Sequence, residues 1–561
     1  MSAPQEMASA GNPIGLAPRL GTGEAAGLGA VFLLALVLRI WVAARVATLF
    51  EDGPRFLATA SHMAAGEWTQ AFQDSYHPLY SFLIQAVARL TGDPERVAVA
   101  ISVLAGSLAV LALYVFLRQA WNGQVALVGA FLLAIHPYAI RFSSSVQSEG
   151  LYLFLFLGAV ALLLRTLDRP GFTSALLCGG VVGLAYLTRP EGLVVGLVGA
   201  VAMGVLWLRR LLSTSVCVRG WAGLLLGFIV VALPYFLSLK SVTGMWQISQ
   251  KKSILVLIGL MKHQAGPGSD LVWTGGTGQI ALLGLLLLSG LIVLFLIRRW
   301  GRSGGLGVAV PPLWFACAVL AAILTMALLD FAAFWHLALA LVSALRPEQV
   351  AILLVGIAVG ALHSGRNSSL LLGLLITTCL LMLYTLVLNY GYVSRRHCLP
   401  PLVLLFGYGA VGVVFLGEWL GRHGLRTARV GLVLTLTLLA LISLPKAFRG
   451  HRDREYAGRV VAERLAAAPG QIIFLASERS KSAYYAKLSW SPLLNANGGY
   501  RSIGQLHEAG VRFVLLEIDP SENHSALGPL PPGLRLEERD RAIERGRMAL
   551  LLEIVESRPT P

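Results

Sequence analysis

Two adjacent acids, Glu51 and Asp52, lie where the first long apolar segment of the chain ends. That segment, residues 27–50, is long enough as a helix to cross a hydrocarbon layer of about 30 Å, because a helix rises about 1.5 Å per residue. Acids at such a boundary are costly unless they have a partner or a function. A carboxylate in a partly dry cleft can act as a general base, whereas an acid just before Pro54 can equally cap the following helix. The sequence leaves both interpretations of Asp52 open.

A third acid, Glu149, follows the polar stretch SSSVQS and precedes a long apolar run. At the start of a helix, a carboxylate favourably opposes the positive end of the helix dipole. The functional interpretation of Glu149 is a second catalytic carboxylate, which binds a hydroxyl or an amine of a substrate. Spacing alone slightly favours the dipole interpretation.

Two pairs of cations lie beside apolar segments. Lys251 and Lys252 occur in a loop that covers residues 240–278, and Arg395 and Arg396 precede the run CLPPLVLLF. Ammonium and guanidinium groups at an interface suit a lipid-borne phosphate or pyrophosphate, and an arginine can bind it with two hydrogen bonds. The alternative for each pair is a basic side chain that merely reaches the lipid headgroups. We predict all four as substrate-binding residues.

Three further polar residues interrupt apolar segments. His77 precedes Pro78, where a helix must break, and its ring can hydrogen-bond the carbonyl groups that the proline leaves unpaired. Arg189 and Glu191 lie in the very tight turn TRPEG between two apolar runs. We favour an ion pair that satisfies this buried turn over direct contact with a substrate. All three residues are kept as candidates for substrate binding.

The composition indicates the broad class of protein. Of the 561 residues, 56% are hydrophobic and 13% are charged, and the mean hydropathy is +0.71. Soluble domains carry about 25% charged residues, so we predict a polytopic membrane protein. The net charge of +16 comes largely from arginines at membrane borders, which indicates membrane lipids rather than nucleic acid as partners. The thirteen predicted spans lie near residues 27–48, 97–117, 124–142, 150–166, 173–188, 190–208, 220–239, 280–298, 310–329, 350–363, 368–388, 399–419 and 428–445.

The distribution of positive charge predicts the orientation, because Lys and Arg in short loops stay on the cytoplasmic side. The polar residues 1–26 show no cleavable signal pattern and are predicted to form a cytoplasmic tail. The first external loop, residues 49–96, then lies on the extracytoplasmic side of the inner cell membrane. Residues 331–345 are interpreted as an interfacial or re-entrant helix, since a further span there would move the arginine-rich residues 421–429 outside.

The tail, residues 447–561, changes to a mixed, charged sequence that follows the bundle of residues 27–446. Two short β-like runs, residues 471–476 and 511–518, alternate with helix-like stretches, which predicts a small extracytoplasmic α/β domain with parallel strands. We favour a cover or docking element over a second active site.

The five cysteines lie in or beside spans without metal-like spacing, so they are predicted to be packing residues.

Several motifs occur in an order that resembles a known family. AAGEW in the first loop is followed by HPLY, QSEGLY, LAYLTRPEGL and RRHCLPPL. This ordered set resembles the membrane-embedded GT-C glycosyltransferases, in particular the protein O-mannosyltransferase and aminoarabinose transferase group, the family 39-like enzymes. The resemblance covers residues 27–445. It implies an all-α polytopic bundle of about thirteen transmembrane helices with interfacial helices in the first external loop, to which the small C-terminal α/β domain is added.

The resemblance also implies which residue is the base. The family carries a catalytic Asp within the pattern Asp-Glu-x-x-Tyr in its first external loop. In this sequence Asp52 matches the Asp, whereas Gly53 replaces the Glu and Phe56 replaces the Tyr. The base is therefore assigned to Asp52. Glu51 directly precedes Asp52, whereas the family's second acid directly follows the Asp, so Glu51 does not match that acid.

In the implied reaction the donor is a sugar on a polyprenyl phosphate, and the acceptor is a lipid, glycan or protein of the cell envelope. Asp52 takes a proton from the acceptor hydroxyl or amine as it attacks the anomeric carbon in a single inverting displacement. The two cationic pairs hold the leaving phosphate, and Glu149 orients the acceptor or the sugar. Because a phosphate held by cations needs no bound metal, we expect neither a metal nor another cofactor.

Two other functions remain open. A transporter or flippase of lipid-linked sugars would also be polytopic, but it should show inverted repeats and broken spans near the midplane. A ligase of lipid-linked glycans should carry a large external loop late in the bundle, whereas the longest external insertions here are early and terminal. Both are kept as alternatives to the transferase.

Overall fold

The structure is a computed structural model that covers most of the bundle and much of the tail. The residues it describes are 21–73, 76–249, 261–263, 271–273, 310–359, 366–423, 427–449, 455–465, 474–477, 480–494, 501–518, 530–544 and 547–556. Lys251, Lys252 and the predicted span 280–298 lie outside the described residues. Two short strands, β1 (Met261–His263) and β2 (Leu271–Trp273), pair antiparallel in the loop that follows the first half of the bundle.

The first half of the bundle consists of helices that are apolar over most of their length. These are α1 (Thr22–Ala43), α2 (Gly53–Ala65), α3 (Trp68–Ala71), α4 (Leu79–Thr91), α5 (Pro94–Ala120), α6 (Gly123–Ile135), α7 (Pro137–Phe142), α8 (Glu149–Asp168), α9 (Phe172–Thr188), α10 (Leu193–Leu208) and α11 (Thr214–Thr243). A 3-10 turn, Pro190–Gly192, joins α9 to α10.

The second half of the bundle contains seven described helices. They are α12 (Val310–Leu329), α13 (Phe331–Leu345), α14 (Pro347–Ala358), α15 (Arg366–Tyr390), α16 (Arg395–Leu404), α17 (Phe406–Arg422) and α18 (Ala428–Phe448). Among the described residues, seven helices of the chain are long and apolar enough to span a membrane, or nine when each of two bent pairs is one span. The chain is therefore a mostly helical, multi-pass membrane protein, and the number thirteen stays a prediction.

Small residues allow the helices to approach closely. A Cβ atom added at Gly179 in α9 would lie 2.1 Å from the carbonyl oxygen of Leu224 in α11. Since lipid tails are as apolar as leucine, close van der Waals packing of this kind helps to hold membrane helices together. The packing fixes α9, whose last turn leads into the turn that contains Arg189 and Glu191.

The first external loop folds into short amphipathic helices, as the sequence predicts. α2 begins with a Gly-Pro pair, which suits a first helical turn because proline needs no hydrogen-bond partner for its nitrogen. The buried Phe56 of α2 contacts the rings of Tyr76 and Tyr80 edge-on, with centroids 4.9 and 5.0 Å apart. These contacts attach α2 to α4 and thereby fix the position of Asp52, which directly precedes α2.

A break divides the predicted span 124–142. α6 ends at Ile135, and Pro137 begins α7, because proline lacks the N–H group that a continuous helix uses. The His136 Nδ1 atom accepts a hydrogen bond from the backbone N–H of Ala139 at 3.2 Å and caps α7. The predicted span is therefore two helices, and α7 leads into the polar stretch before Glu149.

Two helix pairs of the second half are sharply bent. α13 and α14 meet at 97° beside Arg346, which has a φ of 80°, and α16 and α17 meet at 60°. α13 exposes the large side chains of Phe331 and Trp335, as expected for a helix at the lipid interface. A bent pair of this kind is either a broken span or a re-entrant loop, so the interpretation of residues 331–345 as an interfacial or re-entrant helix stays a prediction.

The tail forms a small α/β domain, as predicted. Its elements are α19 (Tyr456–Arg464), β3 (Phe474–Ser477), α20 (Ser480–Ala486), β4 (Ser489–Pro492), α21 (Ile503–Glu508), β5 (Val511–Ile518), β6 (Leu534–Glu544) and β7 (Arg547–Glu556). The sheet order is β4-β3-β5-β7-β6. β3 is parallel to β4 and β5, whereas β7 is antiparallel to β5 and β6. The predicted parallel pairing of the two β-like runs is thus confirmed for their described residues.

Candidate active site

Asp52 lies in a partly buried position beside a cation. It occupies the N-cap position of α2, but its side chain makes no capping hydrogen bond. Its carboxylate instead accepts a hydrogen bond from the Tyr76 hydroxyl at 2.7 Å and forms an ion pair with the Arg396 guanidinium. The Asp52 side chain is 18% exposed. The capping interpretation is therefore wrong, and the carboxylate is held where it can take part in chemistry.

Five of the predicted site residues form a chain of alternating charges. Arg396 lies between Asp52 and Glu149, and its Nη1 atom is 3.7 Å from Glu149 Oε1. Arg189 donates a hydrogen bond to the same Glu149 oxygen at 2.7 Å and lies 3.4 Å from a carboxylate oxygen of Glu191. The favoured ion pair between Arg189 and Glu191 is thus present, with Glu149 as an additional partner.

Each of these side chains lies at the end of an element. Glu149 begins α8, Arg396 lies in the first turn of α16, and Arg189 links α9 to the 3-10 turn. Helix ends that reach the same surface of a bundle can meet even when they are far apart in the sequence. Glu149 also keeps the favourable position at a helix N-terminus that its place in the sequence indicated.

The pKa of Asp52 lies below its ordinary value. Burial of the carboxyl group would raise the pKa, but the Arg396 charge and the hydrogen bonds from Tyr76 and Arg396 lower it by more. Burial and the Asp52 charge raise the pKa of the Tyr76 phenol, which therefore stays protonated as the donor. Asp52 is consequently ionised at neutral pH, which is the protonation state that a general base needs.

A cavity of about 740 Å³ opens beside the network. Arg395, Arg396 and Glu51 line it, so three of the predicted residues share its wall. The Arg395 guanidinium donates a hydrogen bond to Ser343 Oγ at 3.2 Å and lies 5.1 Å from the centre of the Tyr138 ring. Clefts of this size are typical of small-molecule sites. Other lining residues are Phe50, Arg141, Phe142, His336, Leu339 and Tyr392.

Arg396 also lines a second cavity, of about 30 Å³, together with Glu149, Arg189 and Glu191. Arg396 therefore lines both a larger cavity, with Arg141 and Arg395, and a smaller one, with Arg189 and the two carboxylates. A ligand in the larger cavity would contact the same guanidinium that holds Asp52.

His77 lies in an aromatic cluster rather than on the wall of either cavity. Its ring contacts Tyr186 and Tyr235, with centroids 4.9 and 5.2 Å away, and its Nε2 atom is 3.0 Å from Ser249 Oγ. The side chain is buried by these neighbours. A binding role for His77 stays a prediction, as do the roles of Lys251 and Lys252 outside the described residues.

Sequence reasoning did not identify Tyr76, Arg141 or His336 as site residues. Tyr76 reaches Asp52 because α2 and α4 pack through aromatic rings, and no spacing rule connects the two positions. Arg141 was visible as a charge in the otherwise apolar segment after Pro137, which was a usable signal. Among the residues that the structure describes, no group of three or more His, Cys, Asp or Glu is arranged to hold a metal ion.

A family model matches part of the chain. Residues 75–235 match the model described as dolichyl-phosphate-mannose-protein mannosyltransferase. The matched segment includes Glu149, Arg189 and Glu191, and it ends before α16. A comparison with curated proteins finds no match.

Several solved structures are similar to the chain. The oligosaccharyltransferase of Archaeoglobus fulgidus in complex with zinc and sulfate matches with a TM-score of 0.55 and 12% identity, over 88% of this chain and 68% of that chain. ArnT of Cupriavidus metallidurans bound to undecaprenyl phosphate matches with a TM-score of 0.44 and 14% identity, over 94% of this chain and 98% of that chain. The Pmt1-Pmt2 protein O-mannosyltransferase of S. cerevisiae bound to the sugar donor matches with a TM-score of 0.34 and 20% identity, over 39% of this chain and 35% of that chain. The first match shows a shared fold.

The fold and the matched segment agree: the bundle shares the fold of a GT-C glycosyltransferase, and residues 75–235 match a glycosyltransferase family model. The resemblance that the ordered motifs indicated is thereby confirmed. Within this class, residues 75–235 are similar to the dolichyl-phosphate-mannose-protein mannosyltransferases.

Proposed function

We propose that the protein transfers a sugar from a polyprenyl-phosphate donor to an acceptor of the cell envelope, with Asp52 as the general base. The observation that carries the proposal is the position of Arg396, which pairs with Asp52 and lines the large cavity beside Arg395. An anionic donor group in that cavity lies next to the base. The matched family model, whose description contains dolichyl-phosphate mannose, supports a donor of this kind.

The donor phosphate binds in the large cavity, where Arg141, Arg395 and Arg396 line the wall. Guanidinium groups bind phosphate through charge-assisted and often paired hydrogen bonds. α13 forms another part of the wall, with Ser343 facing the cavity and Trp335 exposed on the helix. The polyprenyl chain then follows the apolar surface of α13 into the lipid.

The transfer is a single displacement. The acceptor hydroxyl or amine attacks the anomeric carbon, and the bond from this carbon to the phosphate oxygen breaks with its electron pair on the phosphate. Asp52 takes the proton of the acceptor, and the configuration at the anomeric carbon inverts. The arginines stabilise the charge that develops on the leaving phosphate. Glu149, held by Arg189, orients the acceptor or the sugar.

Binding of the donor also makes Asp52 a stronger base. The Arg396 charge and hydrogen bonds hold the pKa of the carboxyl low against the effect of burial. A donor phosphate competes with Asp52 for Arg396, so the pKa of Asp52 rises towards the value that its burial favours. The base is therefore strongest when the donor is present.

The acceptor is a lipid, a glycan or a protein of the envelope, and the site faces the extracytoplasmic side of the inner membrane. The arginine-rich connections on the opposite face support this orientation. Three arginines supply the positive charge that the leaving phosphate needs, so the proposed reaction includes no metal and no other cofactor.

A deletion strain tests the proposal before the acceptor is known. We expect mass spectrometry of its envelope lipids, glycans and proteins to show the loss of one sugar modification. The wild-type chain should restore it, whereas the double variant Arg395→Gln, Arg396→Gln should not. The matched control is Arg464→Gln, which removes a surface arginine paired with Asp540 at 3.3 Å in the C-terminal domain. If no modification is lost and lipid-linked sugars instead accumulate on one face of the membrane, the protein is a flippase.

A further inference from the structure

The C-terminal domain binds the chain segment directly ahead of Asp52. Residues 44–52 connect α1 to α2, and three consecutive residues of this connection contact the domain. We call residues 47–49 the anchored segment. α1 ends at Ala43, earlier than the predicted span 27–48, so the anchored segment is not part of a helix. Its backbone groups therefore need partners from elsewhere.

Two of those backbone groups bond to side chains of the C-terminal domain. The Leu49 N–H donates to the Tyr485 hydroxyl at 2.8 Å, and the Ala47 carbonyl accepts from Arg459 Nη1 at 3.0 Å. The Arg459 guanidinium also lies 4.5 Å from the centre of the Tyr485 ring, so the two side chains hold each other in place. Bonds to backbone groups on either side of Thr48 fix the path of the segment.

The middle residue of the segment contacts a buried ion pair. The Thr48 hydroxyl donates to Glu455 Oε2 at 3.2 Å, and the same carboxylate pairs with Lys481. Thr48 and Lys481 are each only 2% exposed. A buried charge pair is costly to break, because one charge then remains without its partner in a poorly solvated place. The pair therefore holds the hydroxyl of Thr48 firmly.

The anchored segment is joined to Asp52 by a turn. The Gly53 N–H donates to the Phe50 carbonyl at 2.9 Å, so residues 50–53 form a compact turn that begins where the anchored segment ends. Leu49 also shares one apolar cluster with Phe56 of α2 and Tyr485 of the C-terminal domain. A shift of the anchored segment must therefore move the Asp52 carboxylate relative to Arg396 and Glu149.

We propose that the C-terminal domain positions the catalytic base, with Tyr485, Arg459 and the Glu455–Lys481 pair as positioning residues. The inference rests on the proposed role of Asp52 and extends it to a part of the chain more than 400 residues away in the sequence, since Leu49 and Tyr485 are 436 positions apart. The domain thus helps to set the geometry of the active site. A loosened domain lowers turnover, while the three arginines of the donor cavity, Arg141, Arg395 and Arg396, lie on α7 and α16, outside the connection that the domain holds.

The test compares Tyr485→Phe with Tyr484→Phe in the full-length protein. The first variant removes the hydroxyl that accepts the Leu49 N–H, and the second makes the same change at the neighbouring ring. We expect Tyr485→Phe to lower kcat by about ten- to a hundredfold with the donor KM within about twofold, since small misplacements of a reacting group have effects of this size. Hydrogen exchange at the Leu49 amide should become faster. Tyr484→Phe should match the wild type in both measurements.

The possible outcomes separate this inference from the proposed function. If Asp52→Asn is inactive while Tyr485→Phe turns over like the wild type, the positioning inference is wrong and the base assignment stands. If Asp52→Asn remains active, both are wrong. Should Tyr485→Phe fail to fold, the double variant Lys481→Met, Glu455→Gln decides, because it removes both buried charges together. Its kcat should fall without a change in donor KM, and an unchanged kcat overturns the inference.

Discussion

At the residue scale, the electrostatics of the site depend on Arg396. Its guanidinium pairs with Asp52, lies 3.7 Å from Glu149 and lines the large cavity. Arg395, the next residue, lines the same cavity but bonds to Ser343. The two neighbouring arginines therefore differ in one respect that can be tested, which is their effect on the pKa of Asp52.

Arg396→Gln should move the acid limb of the pH profile to higher pH. In the wild type the pKa of Asp52 is below its ordinary value, so the acid limb should lie at lower pH than an unperturbed aspartate would give. Without the guanidinium charge, burial raises the pKa, and the carboxylate is protonated at higher pH. The measurement is kcat/KM as a function of pH, which reports groups of the free enzyme.

Arg395→Gln is the matched control for this pH profile. It should weaken donor binding, since Arg395 also lines the large cavity, but the acid limb should stay where it is in the wild type. An acid limb that is the same in Arg396→Gln as in the wild type would show that Asp52 is not the titrating base.

Charge and position at span ends were enough to predict Asp52, Glu149 and the two arginines of α16 as candidate site residues, which the structure brings close to one another. A charged side chain beside lipid costs free energy, so a charge at the end of a span indicates that it has a partner or a function. Tyr76 could not be predicted in this way, because a tyrosine at a membrane interface needs no function. Its role follows only from the aromatic packing between α2 and α4.

At the scale of elements, the turn between α9 and α10 holds the acidic side of the site together. Arg189 in this turn has an 11% exposed side chain and contacts both Glu149 and Glu191. The sequence predicted the ion pair within the turn, since both charges lie in one short apolar hairpin. It could not predict the contact with α8, because that depends on how three helices pack.

Arg189→Gln should destabilise the folded protein strongly. The change removes the nearest cation of the buried Glu149 carboxylate, which then keeps only Arg396 at 3.7 Å, at a cost of up to about 3–5 kcal/mol. Arg464→Gln is again the control, because its exposed pair should contribute no more than about 1 kcal/mol. Thermal unfolding in detergent measures both, and an equal shift in melting temperature for the two variants would contradict the role of the turn.

At the scale of the whole molecule, the bundle and the C-terminal domain share an apolar cluster and a set of polar contacts at the segment before Asp52. The composition and the apolar runs predicted the membrane bundle, and the change of composition in the tail predicted the small α/β domain. The contact between them was beyond sequence reasoning. No periodicity connects residues 47–49 with residues 455–485.

The predicted orientation of the molecule can be checked by labelling introduced cysteines in intact cells. Arg535→Cys in the C-terminal domain should react with a membrane-impermeant maleimide, because this exposed position lies on the extracytoplasmic side in our account. Arg169→Cys, in the exposed connection after α8, should react only after the cells are made permeable. The unchanged chain gives the background. The opposite pattern would place the active site on the cytoplasmic face.

The turnover of Asp52→Asn with a polyprenyl-phosphate sugar tests the assignment of the base. Asp93→Asn is the matched control in the same loop, since Asp93 caps α5 by accepting the Arg96 N–H at 3.0 Å and asparagine caps a helix equally well. We predict that Asp52→Asn folds and binds the donor but loses at least about a hundredfold in turnover, while Asp93→Asn matches the wild type. Turnover of Asp52→Asn within a few-fold of the wild type would contradict the claim that this carboxylate is the base.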